Sequence, residues 1–251
     1  MMKFPNNSIL VYIALGDAYC VASEYIKLPE EIDRALRSLE FKEYVDHPRY
    51  EIPKGFYTDD TEMSVANANV LLYNDQPFTV EMFAHEYVSE FNRGGRRKGY
   101  ARKFQEFLEK VKNAQEFLEN INPKSDRNGA AMRAVPIGAL QSIDDVLGVA
   151  ELQARITHNT SEGILSAQVV ALAAHFALYE DEPFRRLDQY CLDNLPARSH
   201  KKYPDIFKYR WSGGAVTAKS WAPVSITTIH AVIDLLKYQT SFSLPRKKDS
   251  H

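Results

Sequence analysis

Residues 56–64 read Phe-Tyr-Thr-Asp-Asp-Thr-Glu-Met-Ser, which sets Asp59 beside Asp60 with Thr58 and Thr61 on the flanks. Adjacent carboxylates repel each other, so something must neutralise them. One solution is local. With Thr58 as the N-cap of a helix, both acids fall in the first turn, where amide N–H groups and the helix dipole offset about 1 kcal/mol. The other solution is a hard cation. Mg²⁺ takes oxygen ligands, and a hydroxyl with two carboxylates from one turn supplies three of them. Asp17 and Glu24, in Gly-Asp-Ala-Tyr-Cys-Val-Ala-Ser-Glu, are seven residues apart and would share a face of a continuous helix. They are either solvated charges at the end of a first helix or carboxylates brought to a central site.

Three further stretches carry chemistry. In Asp-Arg-Asn-Gly-Ala-Ala-Met-Arg (126–133), Asn128 and Gly129 precede a helix expected to start near Ala130. Small residues there would let a phosphate reach the backbone N–H groups, with Arg127 and Arg133 to assist; a plain turn is the alternative. His158 stands just before the most apolar segment, beside the cap candidates Thr160 and Ser161, where a local hydrogen-bonding role is the ordinary one. His175, inside that segment, reads as a satisfied core histidine. The run 93–103 holds six Lys/Arg and one aromatic, enough charge for a nucleic-acid contact. No other basic face balances it, so it is read as a solvated loop and no nucleic-acid partner is expected.

Helices must position these residues. Helical patterns cover 8–20, 30–40, 61–73, 79–91, 100–120, 130–141, 142–156, 161–179, 182–195 and 215–239, with Ser142 as a cap and Asp144 and Asp145 in the first turn after it. Residues 161–179 are apolar nearly all round, which puts that helix at the centre. Period-two alternation is scarce. The expectation is an all-α fold, one compact multi-helix domain over 1–251, with 243–251 a flexible tail.

Composition sets bounds. The 251 residues are 45% hydrophobic and 25% charged, with a net charge of −2, ordinary values for a globular chain and no pointer to an anionic partner. Cys20 and Cys191 make no disulfide framework and suggest a reducing compartment. The apolar start lacks the charged region and cleavage pattern of a signal peptide. No stretch reads as the roughly 18 apolar residues of a membrane span. A cytoplasmic monomer with no membrane partner is expected.

Taken in order, "GDAYCVASE", "YTDDTEMSVANANVLL", "RNGAAMRAVPIG", "ITHNTSEGILSAQVVALAAH" and "WAPVSITTIHAVIDLLKYQTSFS" resemble the ADP-ribosylglycohydrolase family, of the dinitrogenase-reductase-activating glycohydrolase type. The resemblance runs from about Ser8 to about Ser241. It implies a compact all-α fold, cleavage of the bond between ADP-ribose and an acceptor, and two Mg²⁺ or Mn²⁺ ions that chelate ribose hydroxyls and position water. It further implies Thr58, Asp59 and Asp60 as metal ligands, Glu24 and Asp60 as catalytic, and Asp17 behind them. Asn128, Gly129, Ala130 and Met132 would line the ligand cleft, with His158 against ADP-ribose. Cys20 replaces a glycine usual in the first segment. The family's Gly-Gly-Asp-x-Asp-Thr segment has no counterpart, since neither Gly94–Gly95 nor Gly213–Gly214 is followed by Asp. Two expectations follow: a hydrolase acting on ADP-ribosylated protein or a small acceptor, or a homologue with one ion or none that binds ADP-ribose without cleaving.

Overall fold

The computed structural model describes residues 8–24, 26, 43–203, 205–208, 210–211 and 216–238. The expected helix at 30–40 and tail at 243–251 lie outside the described residues. Among those described there are eleven α-helices and no strand, only isolated bridges between Lys124 and His158 and between Lys219 and Ala222. In chain order the helices are α1 (Ile9–Cys20), α2 (Asp59–Tyr73), α3 (Val80–Arg93), α4 (Arg102–Leu108), α5 (Ala114–Asn120), α6 (Gly129–Met132), α7 (Ile143–Thr157), α8 (Ser161–Tyr179), α9 (Leu187–Asn194), α10 (Ala197–His200) and α11 (Val224–Tyr238).

The all-α expectation holds, and α8 is the central helix. Leu165, Ala167, Val169, Leu172 and Phe176 of α8 are buried on several sides, as an all-round apolar sequence requires. Helices α6, α7, α9 and α11 and a 3₁₀ turn at Val135–Ala139 pack around it. Contrary to the expectation from the sequence, α8 is long and apolar enough to span a membrane. Two-thirds of it (67%) is nonetheless buried in protein, the signature of a core helix. Gly138 fits because it has no side chain: a Cβ there would stand 2.6 Å from the Ala171 carbonyl oxygen. His175 is a core histidine as expected, hydrogen-bonded through Nδ1 to the Tyr190 hydroxyl at 2.8 Å.

Three segments differ from the periodic reading, one of them 215–239, where among the described residues only Val224–Tyr238 is helical. Residues 100–120 form two helices, because the Asn113 side chain accepts from the Glu116 amide at 2.9 Å and starts α5 afresh. Residues 130–141 give one turn of α-helix and then the 3₁₀ turn, where Pro136 has no N–H to continue an α-helical ladder. Helices α1, α2, α3 and α5 build the other side of the core, around Phe83, Tyr87, Phe91 and Phe117.

Candidate active site

The first turn of α2 is held by a residue from another helix. Asp17, buried near the end of α1, accepts from the Thr58 amide at 2.7 Å and the Thr58 hydroxyl at 2.8 Å. It also accepts from the Thr61 amide at 3.1 Å and the Thr61 hydroxyl at 2.6 Å. Thr58 occupies the N-cap position but makes no capping bond with its own side chain; Asp17 takes over that task. A carboxylate has about four lone-pair positions; Oδ2 takes three of these donors and Oδ1 takes one, the Thr58 hydroxyl, so Oδ1 keeps a position open. Asp17 therefore holds the threonines through Oδ2 and still has Oδ1 beside Glu24 and Asp60.

The basic run forms a strap over the same turn. Glu62 of α2 accepts from Arg97 and, at 2.8 Å, from the Tyr100 hydroxyl, and Arg97 lies over the Tyr57 ring at 4.0 Å. Gly99 has φ +131, and a Cβ there would stand 2.7 Å from Thr58 Cβ. The solvated-loop expectation is thus corrected for Arg97 and Tyr100, which are drawn in by the buried Glu62 carboxylate. Arg93, Arg96, Lys98 and Arg102 stay largely in water or pair at the surface.

Glu24 reaches the site by an unexpected route. Helix α1 ends at Cys20, so Asp17 and Glu24 do not share a helix face. A 3₁₀ turn at Val21–Ser23 instead folds Glu24 back. One carboxylate oxygen from each of Asp17, Glu24 and Asp60 lies within 4.8 Å of the others. Burial, and then the charges of Asp60 and Asp17, raise Glu24 from 4.5 to about 8. Burial and Asp17 raise Asp60 to about 7. Asp59, on the same turn, is raised by burial and then by Asp60 and Glu24. The helix N-terminus does not by itself settle the charge of these acids.

A raised acid keeps its proton in the native state where the unfolded chain has lost it, so stability falls as pH rises from the unfolded value toward the native value and levels off above it. Above pH 7 His158 is neutral in both states and adds nothing. Metal-free protein is expected to lose up to about 1.4 kcal/mol per pH unit for each proton retained, as pH rises from 7 toward 8. Thermal melts in chelator across that interval measure it, and a rising melting temperature would contradict the assignment.

The donor set fits a hard cation. Cys20 senses the same three acids, and burial followed by their charges pushes its thiol up, so it stays protonated and is a poor soft ligand. Oxygen donors remain: Glu24, Asp60, and Asp59 and Thr58 beside them.

The second cluster lies around α6. Gly129 faces the His158 ring, and a Cβ there would stand 2.9 Å from Cε1. Asn128 and Met132 are half-buried beside it. Ala130 is fully buried, with its carbonyl accepting from Gln153 Nε2 at 3.0 Å, so its side chain has no surface to offer a ligand. Helix α6 is a single turn and gives no extended dipole for a phosphate. Arg133 is not a phosphate partner either. It is buried to 1% exposure, bonds Gln153 and Thr157, and sits 4.7 Å from the Tyr87 ring centroid. Arg127 is exposed beside Asp126. Asn67 of α2 donates to the Arg133 carbonyl at 2.8 Å, which ties the acidic helix to this cluster.

An all-α fold whose first two helices and the 3₁₀ turn after the first converge three carboxylates, with a glycine-backed histidine on a second wall, defines a class. The family model described as ADP-ribosylglycohydrolase matches residues 10–239, and the chain belongs to the ADP-ribosylglycohydrolase family. Among individual relatives it is similar to ADP-ribosylhydrolase ARH3 of Xenopus tropicalis, 34% identical over 149 residues, 55% of this chain and 41% of that protein. It is also similar to ADP-ribosylhydrolase ARH3 of Homo sapiens, 36% identical over 131 residues, 49% of this chain and 36% of that protein. The chain thus spans less than half the length of these curated relatives. A solved structure, "ADP-ribosylglycohydrolase-related protein complex", shares the fold with a TM-score of 0.58 and 21% identity, covering 90% of this chain and 72% of that one.

Proposed function

We propose that the chain removes ADP-ribose from a modified protein or small acceptor, with Mg²⁺ or Mn²⁺ held by Glu24, Asp60, Asp59 and Thr58. The carrying observation is the convergence of Asp17, Glu24 and Asp60 within 4.8 Å, with Glu24 and Asp60 raised toward neutrality. Such a cluster gains from a divalent cation what its own repulsion costs. When bound, the cation supplies charge that fixes sugar hydroxyls and makes water a better nucleophile. The protein supplies the rest. Glu24 takes the proton of the attacking water. Asp60 and Asp59 place negative charge where an oxocarbenium-like centre develops. Asp17 keeps the first turn of α2 in place through Thr58 and Thr61. Asn128, Gly129, Met132 and His158 form the wall against ADP-ribose.

A second reading has its own observation. Asp17 spends four hydrogen bonds on Thr58 and Thr61, three of them on Oδ2, so most of the open coordination in the three-carboxylate cluster belongs to Glu24 and Asp60. A weakly held ion would leave a protein that binds ADP-ribose without cleaving. One assay separates the two: free ADP-ribose released from Ser- and Arg-modified peptides with Mg²⁺ or Mn²⁺, beside calorimetry of ADP-ribose binding. Release is expected. Binding with no release from any acceptor would replace hydrolysis with the second reading.

A further inference from the structure

Arg133 is the largest fully buried side chain among the described residues, and the catalytic scheme above does not use it. Its Nη2 donates to Thr157 Oγ1 at 2.7 Å, and the same oxygen is 2.7 Å from His158 Nδ1. The hydrogen between Thr157 and His158 has two possible directions. If Nδ1 carried it, Thr157 Oγ1 would accept from both sides, and its own hydroxyl proton would have no acceptor in a buried place. That omission costs about 1–3 kcal/mol. If Thr157 donates, both bonds at its oxygen are made: Arg133 to Thr157, and Thr157 to Nδ1. The ring proton then sits on Nε2.

Nε2 has no hydrogen-bond partner among the described residues, and it faces the space that a Gly129 side chain would fill: a Cβ there would stand 3.1 Å away. We propose that Arg133 is a positioning residue that, through Thr157, locks His158 in the Nε2–H tautomer, so that one N–H donor beside Gly129 meets an acceptor oxygen of the bound nucleotide. The ligand half of this inference rests on the ADP-ribose reading above. Burial and the Arg133 charge also lower His158 from 6.5 to about 3, so the ring stays neutral and donates from a single nitrogen at any working pH. Arg133 acts at the other end as well, since its carbonyl accepts from Asn67 on the acidic helix.

The tautomer is read without ligand, from the ring ¹⁵N shifts of the full chain labelled at histidine, with His158→Asn to assign the signal. Protonated Nε2 and bare Nδ1 are expected in the wild type. An Nδ1–H or doubly protonated ring at neutral pH would overturn the inference whatever the protein binds. Thr157→Val, nearly equal in shape, is expected to mix the tautomers and weaken ADP-ribose about tenfold, while Thr157→Ser keeps both. Unchanged tautomer and affinity in folded Thr157→Val would refute it. Calorimetry with ADP alongside ADP-ribose locates the acceptor: loss with both ligands puts it on the pyrophosphate side, loss with ADP-ribose alone on the distal ribose. A wild type with the expected tautomer that ignores both nucleotides would refute the ligand half and the ADP-ribose reading together, and support Arg133's control of the ring.

Discussion

Glu24→Gln is expected to lower ADP-ribose release by a factor of about 10²–10⁴ while ADP-ribose still binds. The amide keeps the shape of the side chain and removes its capacity to take a proton. Glu24 is placed for that exchange, with a carboxylate oxygen within 4.8 Å of those of Asp17 and Asp60. Binding is expected to survive because the other wall, around Gly129 and His158, is built from α6 and the end of α7 and shares no hydrogen bond with Glu24. Single-turnover release from a modified peptide, with calorimetry on the same preparation, separates the two effects. A Glu24→Gln protein that hydrolyses normally would remove Glu24 from the chemistry. One that neither binds nor hydrolyses would give it a structural role.

Mg²⁺ or Mn²⁺ should stabilise the wild type, and Asp59→Asn with Asp60→Asn should abolish that gain. At about 100 times its dissociation constant a ligand adds about 2.7 kcal/mol, which for a chain of this size is roughly 5–10 °C in melting temperature. The double variant is expected to melt higher than the wild type in chelator, because both acids are raised by burial and repulsion that the amides do not suffer. The two opposite shifts are diagnostic. A metal-dependent gain that persists in the double variant would put the ion at other residues.

Much of this was legible in the residues, for physical reasons that differ from place to place. The central position of α8 follows from an apolar surface on every side, and the caps Ser142 and Thr160 behave as their side chains suggest, accepting from the Asp145 and Gly163 amides. Thr58 does not cap, because a carboxylate forty-one residues earlier is the stronger acceptor and takes both its amide and its hydroxyl. Such long-range competition leaves no local pattern. The proximity of Asp17 and Glu24 was legible in spacing, yet a 3₁₀ turn and not helical periodicity produces it. Arg133 looked like a phosphate partner because an arginine carries no mark of burial in its type. The only hint was its place in an otherwise apolar stretch, Ala-Ala-Met-Arg-Ala-Val-Pro. Likewise the run 93–103 read as solvent-facing by charge count, and only Glu62 opposite it explains why Arg97 and Tyr100 turn inward.

In the proposed function, the turn beginning at Thr58 and the residue after the first 3₁₀ turn together hold a divalent cation. Anomalous diffraction from crystals of this chain grown with Mn²⁺ tests it most directly. A manganese peak is expected within bonding distance of the Glu24 and Asp60 carboxylates, with Asp17 still bonded to Thr58 and Thr61. Crystals in Mn²⁺ at many times any useful dissociation constant, with no peak beside Glu24 and Asp60, would contradict it.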